Sequence, residues 1–190
     1  MSNQVLDRVR RNHALEHATI NVLTQRHKGF SAQGNSTPWG FHLNIYGPMD
    51  EDKVAAAVEE AYTRLQKGEE NLALHPSCGT VLLTTATMSA LAAQVTFGVE
   101  RRRQDQSHFN LAVFLAALPM AILSVTVALI ASRPLGMSLQ RRYTVDPNLG
   151  DLRVSSIRRV RPSAVTRLFQ FLLGQANNKE AHAFRIETVG

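Results

Sequence analysis

Two long runs of the chain carry no charge: VLLTTATMSALAAQVTFGV from Val81 to Val99, and FNLAVFLAALPMAILSVTVALIAS from Phe109 to Ser132. A helix needs roughly 20 mostly apolar residues to cross a bilayer, and both runs have that length. The second is the more apolar. The first is rich in Thr, Ala and Ser and carries Gln94, a composition that suits close helix packing in a membrane and also a buried helix of a soluble domain. Glu100 to His108, ERRRQDQSH, is predicted as a polar hairpin loop between them. Pro119 should kink the second helix. Two spans put both termini on one side. Arg64, Lys67, Arg133, Arg141 and Arg142 on that side, against Arg101, Arg102 and Arg103 in the hairpin, place it in the cytoplasm by the positive-inside rule.

Before these runs the pattern changes from helix to strand and back. Val5 to Lys28 reads as one helix, stopped by Gly29 after the basic turn Arg26-His27-Lys28. Ser31 to Gly40 is rich in Gly, Ser, Asn and Pro and reads as a loop. From Phe41 to Tyr46 the chain alternates, with Phe41, Leu43 and Ile45 on one face and His42, Asn44 and Tyr46 on the other, a half-buried strand. Asp50 can cap a helix running to about Gln66, with no capping box because Lys53 stands at its third position. Val54, Val58, Ala61, Tyr62 and Leu65 form the inner face of that helix, and Gly68 stops it.

After the second apolar run the chain is polar and basic. Leu152 to Val160 reads as a strand, Ser163 to Leu173 as a short amphipathic helix ended by Gly174, and Phe184 to Val189 as a last strand. The expected fold class is an α+β membrane protein. It divides into an N-terminal helix-strand-helix domain over residues 1–79, a transmembrane helical hairpin over 80–132, and a basic α+β tail over 133–190.

The formal net charge is +6. The arginines come in short groups beside apolar stretches rather than in one run with interleaved aromatics. That placement favours a lipid bilayer as partner and argues against nucleic acid. The single cysteine, Cys78, excludes an intrachain disulfide. Met1 to Arg11 is polar, with no apolar segment of a cleavable signal. A multi-pass protein of the cell membrane is expected, its oligomeric state open.

The chemistry concentrates on the first helix. At about 100° per residue, Leu6, Val9, Ile20 and Leu23 share one side with His13, Glu16 and His17, while Leu15 and Val22 lie opposite. A carboxylate in an inward stripe is costly unless it is paired or lies near a metal. His13 and His17, one turn apart, point the same way and can share a tetrahedral cation, with ligand distances of about 2.0–2.1 Å for zinc. Glu16 lies on the same side and can serve as general base toward water at the metal. A catalytic zinc usually has a third protein ligand. His75 and Cys78, in the turn His75-Pro76-Ser77-Cys78-Gly79, are equal candidates. Glu59 and Glu60 fall off the apolar face of their helix, and Glu69 and Glu70 follow the stop glycine. His42 could line a groove for an extended peptide, although an exposed strand histidine accounts for it as well. His27, His108 and His182 have no evident partner. The competing reading is a hydrogen-bonded His/Glu cluster with no metal.

The runs Arg11-Asn12-His13-Ala14-Leu15-Glu16-His17-Ala18-Thr19 and Leu72-Ala73-Leu74-His75-Pro76-Ser77-Cys78-Gly79-Thr80, with the apolar pair after them, resemble an uncharacterised bacterial membrane family, domain-of-unknown-function family 6391. The resemblance spans roughly residues 5 to 135 and implies a membrane protein without an established activity. The order His13-x-x-Glu16-His17 is also similar to the inverzincin (pitrilysin-type) metallopeptidases. That resemblance implies two zinc ligands and a glutamate for peptide hydrolysis. The chain lacks that class's length and its evident downstream glutamate ligand, which weighs on peptidase activity more than on metal binding. The sequence therefore points to a membrane-embedded metalloprotein, a small zinc peptidase acting on peptide or membrane-protein segments. The alternatives are a non-catalytic membrane protein with a structural cluster, and a membrane-anchored binding module using its basic tail.

Overall fold

The computed structural model describes residues 2–162 and 181–190. The chain forms two compact units, Met1–His75 with Tyr143–Gly190, and Pro76–Arg142.

In the first unit, helices α1 (Ser2–Arg26) and α2 (Glu51–Gln66) accompany a four-stranded sheet of β1 (Ser31–Thr37), β2 (Gly40–Tyr46), β3 (Arg153–Val160) and β4 (Ala181–Val189). The spatial order is β1-β2-β4-β3, and every neighbouring pair is antiparallel. The strands after the second apolar run thus complete the sheet begun before the first. The helix expected over Ser163 to Leu173 lies outside the described residues.

Phe41, Leu43 and Ile45 of β2 meet Phe184 and Ile186 of β4 in one core with Val54, Val58 and Leu65 of α2 and Leu15, Val22 and Leu23 of α1. Helix α1 is buried all round from Asn12 to Ile20, apart from a half-buried His13. Packing on several sides explains why apolar residues stand on both flanks of its wheel. The inner stripe does not continue to the first turns, since Leu6 is 57% exposed. Asp50 caps α2 by accepting from the Lys53 backbone N–H at 2.9 Å. Tyr62, expected on the inner face, is half-buried, and its hydroxyl donates to the Leu152 carbonyl at 2.9 Å.

The expected loop from Ser31 to Gly40 is instead strand β1 plus the two-residue turn Pro38-Trp39 of a hairpin, with Thr37 registered on Gly40. Gly40 has φ +134°, a conformation that favours glycine. Loop-like composition here has a packing cause. β1 is a sheet edge with polar solvent-side residues, and its inward positions Gly34 and Ser36 are small because Glu16 lies against them.

On the outer face, His42 is registered opposite Arg185. Partial burial, and then the Arg185 charge, hold its pKa below 6.5. The unfolded chain therefore takes up this proton first, and stability falls as pH drops through about 6.5 toward the folded-state pKa. Urea titrations at several pH values should show a flatter acid limb for His42→Gln; an unchanged limb would exclude this linkage. His182 is not solitary: its Nδ1 accepts from Arg159 at 2.5 Å.

In the second unit, α3 (Gly79–Arg103) and α4 (Leu111–Leu139) pair, and both are long and apolar enough to cross a membrane. The hairpin loop is shorter than expected because α3 continues through Arg101, Arg102 and Arg103, whose charges suit a helix C-terminus. Asn110 caps α4, accepting from the Val113 N–H at 2.9 Å. Hydroxyls face each other between the helices, Thr85 with Ser132 at 2.8 Å and Thr96 with Ser124 at 2.9 Å. Pro119 and Pro134 both lie within α4. A π-helical turn, Gln140–Thr144, carries the chain out of α4.

Candidate metal centre

His13 and His17 stand one turn apart on α1, with ring centroids 4.2 Å apart. Each ring is fixed by a backbone carbonyl from a distant segment. His13 Nδ1 lies 2.8 Å from the Thr144 carbonyl oxygen, and His17 Nδ1 lies 2.8 Å from that of Ala73. A carbonyl oxygen only accepts, so both Nδ1 atoms donate. In the neutral ring the lone pair then sits on Nε2. A carbonyl on the far ring nitrogen is the arrangement that orients metal-binding histidines. Thr144 ends the π-helical turn, a backbone irregularity frequent at functional sites.

His75 follows the 3₁₀ turn Glu70–Ala73, and its ring centroid is 5.8 Å from that of His17. Cys78, the other candidate third ligand, is the N-cap residue of α3.

Glu16 is buried beside them on α1. Its Oε2 accepts from the Ser36 hydroxyl at 2.5 Å. A Cβ placed on Gly34 would coincide with the Glu16 carboxylate, so only glycine leaves room for it. The charge thus has a donor from β1 where burial would otherwise be costly.

Two of the downstream acidic residues, Glu60 and Glu69, are engaged elsewhere. Glu60 pairs with Arg26 and with Arg64, and Glu69 pairs with Arg64 at 2.7 Å. Hydrogen bonding and charge from Arg64 hold the Glu69 carboxyl below its ordinary pKa. His42 lies on the sheet's outer face, and β2 is an interior strand, so its edges are already paired.

Several supporting residues were not evident from sequence. Gly34, Thr144 and Ala73 act through small size or backbone carbonyls, which leave no residue-type signature, and Ser36 donates its hydroxyl from a segment that reads as a loop. Asn12 and Asn21 had a usable signal: they lie one turn before Glu16 and one turn after His17, extending a polar stripe along α1.

The profile of the family described as Domain of unknown function (DUF6391) matches residues 8–157. An uncharacterized protein of a Picosynechococcus species is 41% identical over 91 residues, covering 43% of each chain. The chain thus aligns with less than half the length of this relative. No solved structure matches.

Proposed function

The chain belongs to the DUF6391 family, and we propose that it is a membrane-embedded metalloprotein in which His13 and His17 hold a zinc ion. His75 or Cys78 supplies the further ligand. Glu16 is the general base, and the reaction is hydrolysis of a peptide or membrane-protein segment near the bilayer surface. Bound zinc supplies a Lewis acid that polarises a carbonyl and makes water more acidic. Glu16, held toward β1 by Ser36, takes the proton that water loses.

The observation that carries this reading is the paired Nδ1–carbonyl contacts of His13 and His17. Fixing a ring through Nδ1 gives no packing advantage that an apolar side chain would lack, whereas it prepares Nε2 for coordination. Support for the membrane comes from the side chains of α4. Leu115, Met120, Ile122, Leu123, Val127 and Ile130 are exposed, while Ala117, Ala121, Ala128 and Ser132 are buried. Large apolar groups outward and small ones inward suit lipid as the surrounding solvent. The arginine distribution puts both termini in the cytoplasm.

A second reading, a structural His/Glu cluster, is favoured by the close seating of Glu16 on Gly34 and Ser36, which helps to anchor β1 to α1 without a metal. Metal analysis of detergent-purified protein separates the two. Wild type should carry about one zinc, His13→Ala and His17→Ala should lose it, and Glu16→Gln should keep it while losing hydrolysis. Metal-free wild type after growth and purification with added zinc would decide for the structural cluster.

A further inference from the structure

Asn21 lies one turn beyond His17 on α1 and faces the segment 72–75. Its amide nitrogen donates to the Leu72 carbonyl at 2.8 Å and to the Leu74 carbonyl at 2.9 Å. A primary amide has two N–H groups, so both are committed and Oδ1 is left as an acceptor. His75 Nδ1 lies 3.0 Å from that oxygen. His75 is therefore the donor, and its lone pair in the neutral ring is on Nε2, as in His13 and His17. The two carbonyls gripped by Asn21 flank Ala73, whose own carbonyl fixes His17.

We propose that Asn21 is a positioning residue of the metal site. It holds the 72–75 segment against α1 and so sets the orientation of both the His17 and the His75 rings. The inference rests on the zinc reading above. One side chain controls the carbonyl partner of one histidine and the acceptor of another. Loss of the groups that orient zinc ligands costs about 10- to 100-fold in affinity.

The test measures zinc affinity by competition with a chromophoric chelator, together with the visible spectrum of the cobalt(II)-substituted protein, for wild type, Asn21→Ala and Asn21→Asp. Asn21→Ala should bind zinc about 10- to 100-fold more weakly and shift the cobalt bands. Asn21→Asp keeps an acceptor for His75 but gives up both donations, so it should fall between wild type and Asn21→Ala. Should the alanine variant not fold, the near-isosteric aspartate variant still reports. Affinity within twofold of wild type and superimposable cobalt spectra, even with a lowered melting temperature, would assign Asn21 to the fold alone and overturn the proposal. Wild type that takes up neither zinc nor cobalt would remove the zinc reading itself, and this inference with it.

Discussion

Gly34→Ala should destabilise the protein by about 1–3 kcal/mol, the usual cost of overpacking a filled site, although an edge strand ordinarily gains from losing a glycine. At a position whose backbone any residue can adopt, Gly→Ala stabilises by about 0.4–1 kcal/mol through the unfolded chain. Gly34 has no left-handed backbone, so that gain applies to it. The sign reverses because the new methyl falls on the Glu16 carboxylate. Glu16 cannot swing aside without leaving the Ser36 hydroxyl, and a hydrogen bond to a charged group contributes about 1.5–3 kcal/mol. The double-mutant cycle isolates the cause. In a Glu16→Ala background the carboxylate is absent, and Gly34→Ala should be neutral or stabilising. Thermal unfolding of the four proteins in detergent reads the cycle directly. An equal loss in both backgrounds would show that the methyl meets something other than Glu16.

This pair of residues also shows where sequence reasoning reached and where it stopped. Helices α1 and α2 and strand β2 were legible because their periodicities reflect a sharp difference between a buried and an exposed face. β1 was not, because its inward positions are small to fit a carboxylate, and small residues read as loop. The wheel of α1 put His13, Glu16 and His17 on one side. It could not show that Glu16 reaches β1 while the two rings reach Thr144 and Ala73, since those partners are a strand read as a loop and two backbone carbonyls. The apolar helices were evident in kind, but their ends moved by a few residues, as the caps Asn110 and Cys78 and the basic last turn of α3 set them rather than the last apolar residue. Placing β4 between β2 and β3 needs pairing information that one chain's pattern lacks.

Asn12→Leu should cost about 2–6 kcal/mol, the sum of the buried Thr188 hydroxyl and the half-buried Thr37 carbonyl each losing its partner at roughly 1–3 kcal/mol. Asn12 is fully buried. Its amide donates to the Thr37 carbonyl at 2.9 Å, and its Oδ1 accepts from the Thr188 hydroxyl at 2.8 Å. It therefore ties α1 to the end of β1 and to β4, next to the point where the Thr188 N–H donates to the Trp39 carbonyl at 2.9 Å. Leucine has the same branched skeleton with bulkier methyl ends, so some overpacking adds to the lost hydrogen bonds. Removing the stranded hydroxyl should then help. Thr188→Val in the Asn12→Leu background should recover about 1 kcal/mol, because replacing both partners by apolar groups avoids the desolvation cost of leaving one unmet. The same Thr188→Val change in the wild-type background should destabilise, since it strands the Asn12 oxygen. Opposite signs in the two backgrounds, measured by thermal or urea unfolding, are the expected result. Equal signs would mean that Asn12 is held by packing and that its bridge between the first helix and the last strand contributes nothing measurable.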